Sequence, residues 1–326
     1  MTVSTGRRLR RRLSAYLHSF YIDFPTDQST SVLIAGSGRS GTTWLLDTLN
    51  FKNEYRVLYE PFNRGRVPII AHFRRYQYLR TDNDDPAYFE PVRRILTGNI
   101  RNWWIDAHNR RFICRQRIIK NVRCMFMLGW MARRFPGMPI LYLMRHQCAV
   151  ATSRMHLGWE PTSAEYLTQA DLVADHLAPF KRVIEEAQSS FARHIVDWCV
   201  ENYVPMRQLR PADAHVLFYE DACMTPESEV VKLGEILHKD FGDAALQAMR
   251  KPSLQARRRR EQYTSAVVSG ESLIDNWRKF VTSEQLAKAV ETVTAFGLDW
   301  HYAEGSMPVW ASISTAARST QGTSEA

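Results

Sequence analysis

The chain has 326 residues, enough for one large α/β domain with a substantial buried core. Its hydrophobic content of 45% and charged content of 24% are ordinary for a globular protein, and no apolar run reaches the roughly 18 residues that a membrane-spanning helix needs. The net charge of +9 arises from two acid-free basic stretches, residues 1–12 and 251–260, so the rest of the chain is not expected to bind nucleic acid or other polyanions.

The first segment in chain order is a basic N-terminal arm, residues 1–28. Within residues 7–20, arginines flank one apolar helical stripe formed by Leu9, Leu13, Tyr16, Leu17 and Phe20. This pattern suits a helix that lies on an anionic membrane surface. A helix that packs on the domain and leaves its basic face in solvent explains the pattern equally well. No secretory signal follows, so we expect a cytoplasmic protein that either contacts the inner membrane face peripherally or does not contact it.

Residues 29–305 alternate between short apolar runs and helical patterns and form the predicted domain. Strands are predicted at Ser31–Ala35, Arg56–Tyr59, Arg117–Lys120, Ile140–Met144 and His215–Tyr219. Helices are predicted near 43–50, 87–97, 124–134, 147–156, 172–188, 191–203, 227–238, 243–250 and 284–296. The alternation predicts an α/β fold, a P-loop-containing three-layer sandwich whose central, mainly parallel sheet is flanked by helices. A polar tail, residues 306–326, follows it.

The most informative segment is a strand, turn and helix over residues 31–45. Gly36, Gly38 and Gly41 let the backbone curl so that successive N–H groups face inward. The start of the helix adds unpaired N–H donors and the positive end of its dipole. This arrangement predicts an anion cradle, and the anion it suits is a phosphate group.

Three enzyme classes use such a loop. The three glycines fit the G-x-G-x-x-G pattern of NAD-type oxidoreductases, and the segment begins like the loop of a nucleotide kinase, although Thr42 stands where the kinase lysine belongs. The run Arg39-Ser40-Gly41-Thr42-Thr43-Trp44 resembles the 5′-phosphosulfate loop of sulfotransferases that use 3′-phosphoadenosine 5′-phosphosulfate (PAPS). A kinase or another nucleotide-binding protein stays open as the alternative.

The sulfotransferase resemblance implies roles for this loop. Arg39 and the backbone from Ser40 through Gly41 to Thr43 would hold the 5′-phosphosulfate, and the Thr42 and Thr43 hydroxyls would add hydrogen bonds. Trp44 would offer a face to the adenine, or would serve as a core aromatic.

A second strand-to-helix segment carries Arg145 and, eight residues later, Ser153. It resembles the Arg-x7-Ser motif that binds the 3′-phosphate in the same family, with Gln147 in the place of the usual proline. Arginine offers a planar donor fork for phosphate, and serine offers a further donor. NAD has no 3′-phosphate, and a kinase does not need one, so this motif favours the sulfotransferase interpretation.

Two later segments agree with the resemblance. Tyr219 begins a Tyr-Glu-Asp run like the one whose tyrosine approaches the adenine in relatives, although a core position is an equal alternative. Asp275-Asn276-Trp277 resembles the C-terminal Asp-x-Trp segment, which a basic loop precedes in the family. That loop closes on the 3′-phosphate in relatives, so the basic patch Arg257–Arg260 is assigned to the donor site, with Arg257 and Arg258 as its named contacts. A solvated run of charges is the alternative for this patch.

The catalytic residues also follow from the resemblance. Lys120 ends a strand, as does the lysine that the family places near the leaving oxygen, and Arg39 is a second cation. The acceptor hydroxyl must lose a proton, so a base is needed. In cytosolic relatives this base is a histidine two residues after the lysine, and Val122 stands at that position here. Glu60 is the predicted base, as in the carbohydrate and bacterial glycolipid branch, which the chain resembles more closely. His108 is a reserve, and His146 is disfavoured because it adjoins the 3′ motif.

We therefore expect an enzyme that moves a sulfuryl group from PAPS to a hydroxyl by in-line displacement and releases 3′,5′-ADP. The acceptor would be a sugar, a glycolipid or a small molecule. No metal is required, because histidines and the five cysteines lack ligand spacing and the cations can replace Mg²⁺. The acceptor pocket is expected in residues 62–112 and 155–210, where Trp103, Trp104 and Trp159 are either stacking faces or core residues.

Overall fold

The computed structural model describes residues 22–23, 27–251, 274–299, 302 and 305–308. Most of the predicted N-terminal arm, including residues 7–20, lies outside the described residues. So do Arg257, Arg258 and most of the C-terminal tail.

Seven parallel-pairing strands occur in the described residues: β1 (Ile22–Asp23), β2 (Ser31–Ala35), β3 (Tyr55–Tyr59), β4 (Ile113–Cys114), β5 (Gln116–Asn121), β6 (Ile140–Met144) and β7 (His215–Phe218). β1 and β4 form a separate pair, and the other five form one parallel sheet in the order β3-β5-β2-β6-β7. β2 lies at the centre and is buried along its whole length, because helices cover both faces of such a sheet. The predicted strands are confirmed to within one residue at each end.

Twelve α-helices are described: α1 (Thr42–Leu49), α2 (Pro86–Leu96), α3 (Leu128–Arg134), α4 (Gln147–His156), α5 (Ser163–Tyr166), α6 (Ala170–Leu172), α7 (Lys181–Glu186), α8 (Ser190–Gln208), α9 (Tyr219–Met224), α10 (Pro226–Leu237), α11 (Gly242–Met249) and α12 (Ser283–Ala295). The helical stretch predicted near 172–188 is helical from residue 170 to residue 186, but it is not one regular α-helix. A π-helical turn at Val173–Leu177 and a 3₁₀ turn at Ala178–Phe180 separate α6 from α7. Pro179 explains the break, since it lacks an N–H donor and crowds the preceding turn.

Two apolar cores lie on opposite faces of the sheet. Successive residues of β2 alternate between them, with Leu33 in one core and Ile34 in the other. The larger core contains Trp130 of α3 and Trp198 of α8, and the smaller contains Trp44 of α1. The three-layer α/β architecture predicted from the sequence is therefore confirmed.

Candidate active site

The carboxyl ends of the five sheet strands meet at one edge, where parallel α/β sheets place their ligands. Five parts of the predicted site lie at the ends of different strands: Glu60 after β3, Lys120 near the end of β5, the loop of residues 36–41 after β2, Arg145 after β6 and Tyr219 after β7. The fold thus gathers on one edge side chains that are far apart in the chain.

Close backbone approaches fix the shape of the phosphate loop. A Cβ atom on Gly36 would lie 2.4 Å from the carbonyl oxygen of Leu143, and one on Gly41 would lie 2.6 Å from the ring of Tyr219. Gly41 also has a φ of 101°, and Arg39 has a φ of 82°. Side chains at the two glycine positions would push the loop away from β6 and from Tyr219.

The two predicted phosphate motifs contact each other directly. Arg39 Nε donates a hydrogen bond to Ser153 Oγ at 3.0 Å, and Arg145 Nη1 donates to the carbonyl oxygen of Arg39 at 3.4 Å. The loop after β2 and the corner after β6 therefore form the wall of one cleft.

Several donors at this cleft suit an anionic ligand. Ser40 Oγ and Arg145 Nε are buried and have no hydrogen-bond partner among the residues described. Buried polar atoms are normally paired, so these two have capacity for the oxygens of a ligand. Thr42 and Thr43 begin the eight-residue helix α1, whose first N–H groups face the same loop. These residues fit a phosphorylated nucleotide.

The two aromatic residues assigned to the adenine are both buried. Trp44 is 8% exposed, and its indole N–H donates to the carbonyl oxygen of Met249 at 3.0 Å. The edge of Trp44 packs on Tyr219 with ring centroids 5.3 Å apart, and the Arg145 guanidinium lies 4.2 Å from the Tyr219 ring centroid. This packing fits the core-aromatic alternative for Trp44 and makes Tyr219 a support for Arg145. Contact of either ring with adenine stays a prediction.

Glu60 and Lys120 form a buried ion pair at the ends of β3 and β5, each 4% exposed. Lys120 Nζ donates to Glu60 Oε1, while Arg123 Nη1 donates to Glu60 Oε2 at 2.7 Å. The N–H of Val122 also donates to Oε2, at 3.3 Å. Glu60 has a φ of 48°, which turns the chain immediately after β3. The sequence predicted Glu60 and Lys120 as site residues, but it did not predict that Arg123 also binds Glu60.

The sulfotransferase family model matches residues 31–243, well over half of the chain. The chain belongs to the sulfotransferase family. Sulfuryl transfer is therefore the general reaction of this enzyme. A search of curated proteins found no match.

Solved structures similar to this sulfotransferase include the sulfotransferase domain from the curacin biosynthetic pathway, with 15% identity over 85% of this chain and 99% of that chain and a TM-score of 0.44. The sulfotransferase domain of the Synechococcus PCC 7002 olefin synthase has 14% identity over 82% and 94%, with a TM-score of 0.44. Mouse sulfotransferase SULT7A1 complexed with PAP has 13% identity over 87% and 88%, with a TM-score of 0.43.

A buried polar network beneath the phosphate loop of the sulfotransferase was missed by sequence reasoning. Arg154 Nη2 donates to Glu201 Oε2 at 2.6 Å and to Ser37 Oγ at 2.7 Å, and Arg154 Nε donates to the carbonyl oxygen of Gly38 at 3.1 Å. Ser37 also donates to Glu201, whose other oxygen accepts from the Tyr166 hydroxyl at 2.8 Å. The network ties the loop to α4 and α8. The available signal was the position of Arg154 directly after Ser153.

Glu220 connects the Arg145 corner of the sulfotransferase to the C-terminal part of the chain. Its carboxylate accepts the His146 backbone N–H at 3.0 Å and the Tyr302 hydroxyl at 2.5 Å. Burial raises the pKa of Glu220 to about 7, although these donors and the charge of Arg145 oppose the shift.

The two histidines considered as bases lie in different surroundings. His108 is exposed, and its ring lies 4.2 Å from that of Tyr59, over which Lys120 Nζ also lies at 5.0 Å. His146 is fully buried, stacks on Trp277 at 4.4 Å and accepts the Cys148 N–H at the start of α4. The structure therefore gives His146 a packing and capping role, and it places His108 against Tyr59, close to the Glu60–Lys120 ion pair.

The three tryptophans considered for acceptor binding differ in exposure. Trp103 is 52% exposed and Trp159 is 38% exposed, whereas Trp104 is half-buried and packs against both cores. Trp159 lies against Gly38, where an added Cβ would come within 2.8 Å of its ring. Trp103 and Trp159 are thus accessible near the cleft, and Trp104 is mainly a packing residue.

Two negative findings concern the described part of the sulfotransferase. No group of three or more His, Cys, Asp or Glu side chains there is arranged to hold a metal ion. None of the helices in those residues has the length and apolar character needed to cross a membrane.

Proposed function

We propose that this sulfotransferase uses PAPS as its donor and transfers the sulfuryl group to a hydroxyl of the acceptor, with release of 3′,5′-ADP. The observation that carries the proposal is the 3.0 Å hydrogen bond between Arg39 and Ser153. It joins the motif that resembles a 5′-phosphosulfate loop to the motif that resembles a 3′-phosphate site. A nucleotide with phosphate groups at both positions fits such a cleft better than ATP or NAD.

The donor-binding roles follow from the hydrogen-bond donors that line the loop after β2 and the corner after β6. Arg39, Ser40 and the N–H groups through Thr43 would bind the 5′-phosphosulfate, and Arg145 with Ser153 would bind the 3′-phosphate. The buried network around Arg154 supports this by holding the loop in position before the ligand arrives. Arg257 and Arg258 remain proposed contacts of the 3′-phosphate.

The catalytic roles follow from the ion pair at the strand ends. Bound PAPS supplies an activated sulfuryl group and a phosphate leaving group. The Lys120 ammonium stabilises the negative charge that develops on the leaving oxygen, and Arg39 adds a second positive charge. Glu60 accepts the proton of the acceptor hydroxyl. Because Lys120 binds Glu60 before the reaction, moving Lys120 toward the leaving oxygen would expose Glu60 Oε1 to the acceptor.

The carboxylate base also bears on the acceptor. By the family resemblance, Glu60 corresponds to the glutamate of the carbohydrate and bacterial glycolipid branch, and Val122 stands where the cytosolic branch has a histidine. We therefore propose a sugar or glycolipid hydroxyl as the first acceptor class to test. The alternative of a nucleotide kinase has less support, because Thr42 replaces the lysine that would bind the β- and γ-phosphates.

Calorimetry with 3′,5′-ADP, ATP and NAD tests the donor. We expect micromolar affinity for 3′,5′-ADP and affinities at least about 100-fold weaker for the other two, a difference of about 2.7 kcal/mol. Tighter binding of ATP would favour the kinase alternative and overturn the proposal.

Transfer from labelled PAPS to a panel of hydroxylated sugars then tests the base. Glu60→Gln should lower kcat by about 10²- to 10⁴-fold with little change in the affinity for 3′,5′-ADP. Glu90→Gln, in an exposed ion pair with Arg93 on α2, is the matched control. If Glu60→Gln retained full activity while His108→Ala lost it, the base would be His108.

A further inference from the structure

A cavity of about 170 Å³ opens on the surface beside the catalytic edge. Its lining includes Arg64, Arg74 and Arg75 with the rings of Tyr76 and Tyr166. The two rings meet edge to face with centroids 5.4 Å apart. Three cationic side chains therefore surround an aromatic floor.

The positive charge of this cavity is only partly neutralised. Arg75 forms an ion pair with Glu165 at 3.0 Å, between side chains that are 46% and 50% exposed. Arg74 Nη1 donates to the neutral hydroxyl of Thr168 at 3.2 Å. Arg64 and Arg74 have no acidic partner among the described residues. Two guanidinium groups are thus available for an anion, and arginine forks match the oxygens of carboxylate, phosphate and sulfonate-like groups.

The cavity adjoins the catalytic residues on one side. The N–H of Asn63 donates to the carbonyl oxygen of Glu60 at 3.2 Å, which places Arg64 one turn beyond the proposed base. Burial raises the pKa of Tyr76, and the nearby positive charges of Arg154 and Arg123 oppose the shift. Arg123 is the residue that binds Glu60 at 2.7 Å.

On its other side the cavity adjoins the support of the phosphate loop. The Tyr166 hydroxyl donates to Glu201, which accepts from Ser37 in that loop. The cavity is therefore linked on one side to the turn that carries Glu60 and on the other to the residues that support the loop assigned to the donor.

The volume limits what the cavity holds. Pockets for whole small molecules are typically about 300–1,000 Å³, so a cavity of about 170 Å³ accommodates one end of a molecule. The rest of that molecule would extend along the surface toward the catalytic edge.

We infer that the acceptor carries an oxyanion group, a carboxylate, phosphate or sulfate, which binds Arg64 and Arg74 in this cavity while the reacting hydroxyl lies near Glu60. This inference rests on the proposed function, since it names the chemical class of the acceptor for that reaction. The aromatic floor formed by Tyr76 and Tyr166 contacts the apolar face of the atoms next to the anion.

Titration with small oxyanions tests the cavity without requiring turnover. Benzoate, phenyl phosphate and benzenesulfonate are titrated into the full chain, with neutral benzamide for comparison, in the presence and absence of 3′,5′-ADP. At least one anion should bind with a Kd below about 1 mM and at least about tenfold more tightly than benzamide. The anion that binds most tightly identifies the group on the acceptor.

Variants locate the binding. Arg64→Ala and Arg74→Ala should each weaken the binding of that anion by about 10- to 100-fold, as expected for a lost hydrogen bond to a charged group. Both variants should keep an affinity for 3′,5′-ADP within about twofold of the parent protein. Arg93→Ala is the matched control, because Arg93 is an exposed arginine paired with Glu90 on α2.

The inference is overturned if no anion binds below about 10 mM, if benzamide binds equally well, or if Arg93→Ala has the same effect as the cavity variants. A wrong donor assignment would appear separately, as a failure of 3′,5′-ADP itself to bind. The two proposals are therefore tested by different measurements on the same protein.

Discussion

The donor side and the acceptor side of the cleft use arginine in opposite ways. On the donor side, Arg154 is 2% exposed and binds Glu201, Ser37 and a loop carbonyl. On the acceptor side, Arg64 and Arg74 are exposed, and neither has an acidic partner among the described residues. The buried arginine holds the loop that is assigned to the donor. The exposed arginines leave positive charge available for a ligand.

The largest effect is expected on the free energy of unfolding, when the charge is removed from one of two glutamates that each pair with an arginine. Glu201→Gln removes the nearer of two buried carboxylates that pair with Arg154, the other being Asp197 at 3.9 Å, and should lower the free energy of unfolding by about 3–5 kcal/mol. Glu165→Gln, in the exposed pair with Arg75, should lower it by less than about 1 kcal/mol. Urea denaturation of both variants measures the difference. Equal losses would show that the two sides do not differ in this way.

The next effect concerns Lys120, which lies where the two sides meet. Lys120→Met removes the cation that is proposed to stabilise the leaving oxygen and should lower kcat by about 10²- to 10³-fold. The fold should persist, because Arg123 still binds Glu60. Lys288→Met, in an exposed pair with Glu291 on α12, is the control in the same transfer assay. A loss of less than tenfold would remove Lys120 from the proposed mechanism.

A smaller effect separates the 3′-phosphate from the 5′-phosphate. Ser153→Ala should weaken the binding of 3′,5′-ADP by about tenfold or more, since hydrogen bonds to charged groups contribute about 1.5–3 kcal/mol. It should leave 5′-AMP, which has no 3′-phosphate, nearly unchanged. Thr168→Ala, which removes the hydroxyl bound by Arg74 on the acceptor side, should change neither affinity. Equal weakening of both nucleotides would mean that Ser153 acts through Arg39 and does not bind the 3′-phosphate.

The last effect is a pH dependence of stability at the Arg145 corner. Burial raises the pKa of Glu220 from 4.5 to about 7, so the folded protein holds this proton more strongly than the unfolded chain does. Its contribution to the free energy of unfolding is fully present below about pH 4.5 and is lost as the pH rises through about 7. Glu220→Gln does not titrate, so its stability relative to the parent protein should increase between pH 5 and pH 8. Urea midpoints at both pH values measure this, and a constant difference would contradict it.

The sequence predicted the sheet and the main motifs because both are local signals. Ser31–Ala35 and Ile140–Met144 are continuous apolar runs, and each is followed by its polar corner within a few residues. Strand order in parallel sheets then brings Arg39 and Arg145 together with no further information from the side chains.

The remaining features depend on contacts that no local pattern encodes. Glu201 lies in the middle of α8 and meets Ser37 across 164 positions of sequence. Arg123 gives no sign in the sequence that it binds Glu60, and the cavity joins residues 64–76 to the C-terminal end of the short helix α5, about 90 positions away. The break at Pro179 was missed because the apolar periodicity continues through it.

The contact of Gly41 with Tyr219 has a consequence for mutational scanning. A methyl group at position 41 would reach the ring on which the Arg145 guanidinium rests, so a change in one motif displaces a residue of the other. Substitutions at the two corners should consequently be non-additive, and a double-mutant cycle between Gly41→Ala and Tyr219→Leu should give a coupling energy of about 0.5–3 kcal/mol. Libraries that vary these positions one at a time would therefore overlook compatible pairs.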